Sequence, residues 1–250
     1  MHRCRAGTVV VAVGLALAAV GCGSDNGPSA SFTSPDQGTS LAGGVPIAMS
    51  ASGMRIEEAG EVHDGAGHFH VIADAGCTPK GEVITKDADH LHFGKGQTEG
   101  VIYLEPGKHQ LCLEVGDGVH EALGVADTRT IDVAVTDQDE WCRVIGEVDA
   151  LYREADSVEG DFAAYQAGFE NVRRLLAQLE DGLAVIDQDQ AEDVGAFLAD
   201  NVKLVTAAID ASDPQDLEKR LLGVFGQKGL STDTPGVAWI ETECGIDVGT

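Results

Sequence analysis

The chain has 250 residues, 43% of them hydrophobic, enough for one large domain or two of ordinary size. With 16 Lys+Arg against 42 Asp+Glu the net charge is -26, and a surface this acidic repels nucleic acid, so a DNA- or RNA-binding role is excluded. Aromatics at 5%, 32 Gly and 7 Pro fit neither a collagen-like chain nor a disulfide-dense miniprotein.

Residues 1–21 read as a secretory signal. Arg3 and Arg5 form a positive start, and Thr8 to Val20 is an apolar run short for a membrane span. Ala19-Val20-Gly21-Cys22 then resembles the bacterial lipobox, which implies cleavage before Cys22 and a lipid on its thiol. The expected location is the bacterial cell envelope, tethered to the outer face of the cytoplasmic membrane or to another envelope membrane. An envelope protein is the expected kind of partner. Removing Cys4 and Cys22 leaves Cys77, Cys112, Cys142 and Cys244, an even number in an oxidising compartment and three possible connectivities.

Residues 22–30 are small and polar and read as a tether. From 31 to 136 the pattern is that of strands: Val45–Met49, His68–Ala73, a hairpin of Val101–Leu104 and Gln110–Val115 around Pro106-Gly107, and Thr130–Val135. Short strands separated by turn residues favour an immunoglobulin-like β-sandwich. After Thr136 the period becomes helical. Trp141, Val144, Ile145, Val148, Leu151 and Tyr152 make one stripe; Phe162 to Leu179 and Val194 to Ile209 hold two more. Asp213-Pro214 and Thr234-Pro235 open further helices. The fold class is therefore α+β in two domains, with a C-terminal helical bundle over 137–250.

The chemical signal is in the β half. Of eight histidines, all but His2 lie between residues 63 and 120. His68/His70 and His90/His92 form two H-x-H pairs, and side chains two apart on a strand point the same way. Together with His120 they could surround one ion, and imidazole suits copper(II) and zinc. Met49 and Met54 are too few soft donors to argue for Cu(I). His109, opening a strand after Pro106-Gly107-Lys108, reads as structural, and His63 in a Gly-rich loop reads as solvated; Asp64, Asp87 and Asp89 are further candidate ligands. The bland alternative is that all these imidazoles only hold loops together, in a structural or adhesive envelope module. A metal-dependent hydrolase is a third reading, but no G-x-S-x-G, H-E-x-x-H, phosphate loop or dinucleotide fingerprint is present.

Gly67-His68-Phe69-His70 with Asp74, the run His90–Glu99, Leu104–His109, and Gly116-Asp117 with His120 resemble the domain of unknown function family 4399 over about residues 31–136. In that family's pattern a third histidine stands where this chain has Phe69. The resemblance implies a compact secreted β domain and names no activity. Trp141-Cys142 and Glu243–Asp247 resemble the C-terminal regions of actinobacterial lipoproteins. For the disulfides, Cys112 alternates with inward Leu111 and Leu113, so it should face outward where a loop bearing Cys77 reaches it. Cys142 and Cys244, early in the first helix and near the last, form the other expected pair.

Overall fold

The computed structural model of the protein describes residues 27–87, 89–156, 161–226 and 231–248. The signal, Cys22 and most of the tether lie outside them. Strands come first: β1 (Ser29–Ser34), β2 (Ser40–Leu41), β3 (Val45–Ser52), β4 (Arg55–Ile56), β5 (Ala66–Ala73), β6 (His90–Phe93), β7 (Glu99–Ile102), β8 (Gly107–Gly116) and β9 (Ala122–Val133). Helices α1 (Gln138–Asp156), α2 (Phe162–Asp181), α3 (Gln188–Ile209), α4 (Pro214–Phe225) and α5 (Pro235–Trp239) follow, with a π-helical turn Ile240–Cys244. The chain is thus mixed α+β, strands first and helices second. No helix among the described residues is long and apolar enough to cross a membrane.

The strands form two sheets, one in the order β1-β3-β7 and one in the order β2-β9-β8-β5-β4 with β6 also on β5. Period-two alternation builds their shared core. Phe69, Val71 and Ala73 of β5 and Leu111, Leu113 and Val115 of β8 point one way, and meet Phe32, Ile47, Met49 and Ile102 of the other sheet in one apolar cluster. The opposite face of β5 carries His68, His70 and Ile72, and it is buried too. The long connection from β5 to β6 folds back over it: Ile84 packs on Ile72, Cys112 and Ala122, and its N–H donates to the His120 carbonyl at 2.8 Å.

Cys77 and Cys112 are disulfide-bonded, as are Cys142 and Cys244. Cys112 does lie on the face opposite Leu111 and Leu113, but that face is not solvent: the covering loop leaves Cys112 1% exposed. The expected hairpin of Val101–Leu104 with Gln110–Val115 does not form. β7 pairs with β3 and β8 with β5 and β9, so the chain crosses between sheets at Tyr103–Pro106. The helices hold that crossing in place. Arg174 donates to the Tyr103 carbonyl at 2.7 Å, and the fully buried Gln178 donates to Leu104 O at 2.9 Å and accepts from Gly43 N–H at 2.7 Å. β1 also begins at Ser29, inside the expected tether.

The helical stripes pack as their period requires. Trp141, Ile145 and Val148 of α1, Phe169, Val172 and Leu176 of α2, and Val194, Leu198 and Val205 of α3 share a second apolar cluster. Asp161, Asp187, Asp213 and Thr234 cap helix starts with side-chain acceptors, and Pro214 and Pro235 stand in the first turns. Ala42 and Val135 from the β region belong to this cluster as well, so the two regions meet through apolar as well as polar contacts.

Candidate metal centre

His68 and His70 share the outer face of β5 because they are two residues apart on a strand. β6 lies antiparallel beside it, and the register sets His92 opposite His70 and His90 opposite Ile72. His120 arrives from the turn between β8 and β9. Asp117 organises that turn, accepting from the N–H groups of Val119 at 2.9 Å and Glu121 at 2.8 Å, and His120 takes a left-handed backbone with φ 73°.

The four rings converge. His68 Nε2 and His70 Nε2 are 2.9 Å apart, and His92 Nε2 and His120 Nε2 are 3.1 Å apart. One ring nitrogen from each of His68, His70, His92 and His120 lies within 4.8 Å of all the others. Two glycines make room for this. A Cβ at position 94 would collide with the His92 ring, and one at position 116 would stand 3.0 Å from His70 Nε2.

His68 is 0% exposed and His70 1%, while His92 and His120 are half-buried. Burial, reinforced by the neighbouring imidazoles, pushes the His68 pKa down to about 4 and that of His70 down to about 3. His92 is lowered for the same reason, by burial first and then by His120 and Lys86. These three rings are therefore held neutral at pH 7, the form that ligates metal. His68 Nδ1 and His70 Nδ1 are buried without a hydrogen-bond partner.

His90 stays outside the group. The turn before β6 claims it: Asp87 Oδ1 accepts from the backbone N–H of Asp89 at 2.9 Å and of His90 at 3.1 Å, and stands 2.7 Å from His90 Nδ1. His109 is held at both nitrogens, by Asp74 at 2.7 Å and the Glu105 carbonyl at 2.8 Å. His63 sits 2.7 Å from Glu57 on the surface. Asp89 reaches Arg174 at 3.3 Å, and Asp64 is exposed. A cleft of about 730 Å³ opens beside the centre between β6, β7 and α2; His90, His92, Gln97, Glu170 and Arg174 are on its walls.

One buried polar residue of this face carries little signal in the sequence: Glu114, opposite His70 on β8 and 2% exposed. Its only signal there is an acid between the apolar Leu113 and Val115. The family model of a domain of unknown function (DUF4399) matches residues 47–136, an interval that holds all four converging histidines, Glu114 and the Cys77–Cys112 disulfide. No curated protein matches the chain.

Proposed function

We propose that the protein binds one divalent transition-metal ion, copper(II) or zinc, through His68, His70, His92 and His120, for storage, sensing or delivery. The observation that carries this reading is the convergence of four ring nitrogens within 4.8 Å of one another. Four ligands at about 2.0–2.1 Å from a tetrahedral zinc stand about 3.3–3.4 Å apart. The separations of 2.9 and 3.1 Å come within small side-chain movements of that arrangement. Copper(II) is the stronger competitor for imidazole among common divalent ions.

A purely structural role accounts less well for the same facts. Within each close pair one ring can donate to the other, but His68 Nδ1 and His70 Nδ1 remain buried without partners. Unpaired buried polar atoms are costly, and apolar side chains would fill this face at lower cost. A bound cation supplies the reason to keep imidazoles there. The net charge of -26 concentrates cations around the protein, and the cleft beside His92 offers a route inward.

In this reading the centre sits in an immunoglobulin-like sandwich, supported by the core the two sheets share, with the helices as a second, partner-docking unit. The lipobox-like sequence at Cys22 supports a lipid-anchored envelope protein. The test is elemental analysis and metal titration of untagged, natively purified protein. The expected result is one equivalent of copper or zinc, lost when all four histidines become Ala. His120→Ala should weaken binding strongly, whereas His90→Ala should leave it nearly unchanged. Equal affinity in the folded quadruple variant refutes the reading.

A further inference from the structure

We propose that Glu114 is the hydrogen-bond acceptor behind His70 and the buried negative charge that suits the centre to a divalent ion. This rests on the metal reading above. Glu114 and His70 face each other across β8 and β5, which brings their Cβ atoms to about 4.5–5.5 Å. Glu114 Oε2 accepts from the Thr78 N–H at 2.8 Å, while Oε1 is buried with no hydrogen-bond partner. No basic side chain pairs with Glu114 among the described residues. His70 Nδ1 is the complementary case, a buried nitrogen also without a partner.

The orientations match. The Nε2–Cδ2 edge of the His70 ring faces Gly116, since a Cβ there would stand 3.0 and 3.2 Å from those two atoms. Nδ1 is therefore on the ring edge turned away from Gly116. The Glu114 carboxylate lies within 4.8 Å of the sulfurs of Cys77 and Cys112, and Cys112 is on the other side of Glu114 from Gly116 along β8. His70 Nδ1 thus lies away from Gly116, and the Glu114 carboxylate lies on the Cys112 side of the same pair. His68, by contrast, faces Gly116 itself and has no carboxylate opposite.

The chemistry explains why an acid is kept between Leu113 and Val115. A ring that ligates through Nε2 carries its proton on Nδ1, and that N–H needs an acceptor. One hydrogen bond formed as the centre takes up its ion, His70 Nδ1–H to Glu114 Oε1, would satisfy both atoms and fix the ring with Nε2 toward the ion. Four neutral imidazoles leave a bound divalent ion with its full double charge, and a buried carboxylate offsets part of it.

The experiment uses the full chain, wild type and Glu114→Gln, with exposed Glu241→Gln as a control. Zinc affinity is measured by competition with a chelator, and the His70 ring is followed by nitrogen and proton NMR. Glu114→Gln should weaken zinc binding about 10- to 100-fold. The zinc-free thermal midpoint should hold or rise, and the control should match wild type. In the zinc-loaded wild type, His70 should show an Nδ1–H that exchanges slowly with water, and its signal should move in the variant. An affinity within about twofold of wild type together with an unmoved signal overturns the proposal; so does His70 ligating through Nδ1, which is read on wild type even where the variant fails to fold. Absence of zinc and copper binding by wild type defeats the metal reading itself. Normal binding by wild type with an indifferent Glu114→Gln defeats only the role of Glu114.

Discussion

Lowering the pH of the metal-free protein from 7 to 5 puts protons on the histidines of the unfolded chain and withholds them from His68 and His70 in the folded one. Their folded pKa values are about 4 and about 3, against 6.5 for an unperturbed ring, because burial and the adjacent imidazoles penalise the charged form. The stability of the neutral cluster is therefore present above pH 6.5 and is lost as pH falls toward 4 and then 3. Inside that window each ring costs about 1.4 kcal/mol per pH unit. From pH 7 to 5 the loss is on the order of 2 kcal/mol per histidine, or 4 for the pair, a large share of the roughly 5–15 kcal/mol that holds a domain together. Urea unfolding in the presence of chelator, followed by circular dichroism at several pH values, measures it. The double variant His68→Gln, His70→Gln removes both titrating rings and should flatten the pH dependence by about that amount. If wild type and variant lose equal stability between pH 7 and 5, the rings are not held neutral by their surroundings.

Gly94→Ala should displace the His92 ring and weaken metal binding at least about tenfold while the strands still form, read by titration and circular dichroism. Gln178→Ala leaves Gly43 N–H and the Gly43 and Leu104 carbonyls without their buried partner, and should cost about 2–4 kcal/mol in urea unfolding. Replacing Cys142 and Cys244 together by Ser opens a loop with a sequence separation of 102, and should cost about 4–5 kcal/mol on the chain-entropy account. A loss below about 1 kcal/mol would contradict that figure.

What was legible in the sequence is what short-range periodicity decides. A spacing of two put His68 and His70 on one face of β5, and spacings of three and four gave the stripes of α1, α2 and α3. The same alternation set Cys112 opposite Leu111 and Leu113, within reach of Cys77. Pairing between strands is different, because it depends on residues far apart in the chain. The H-x-H rule treats His90 and His92 alike. Only the register of β6 on β5 sets His92 over His70, and only the Asp87 turn draws His90 away. Nothing local to Val101–Val115 shows that β7 and β8 belong to different sheets; Arg174 and Gln178, some seventy residues on, hold the crossing between them. Glu114 reads as an ordinary outward acid until the connection after β5 covers its face, and its burial opposite His70 follows from that long-range packing alone.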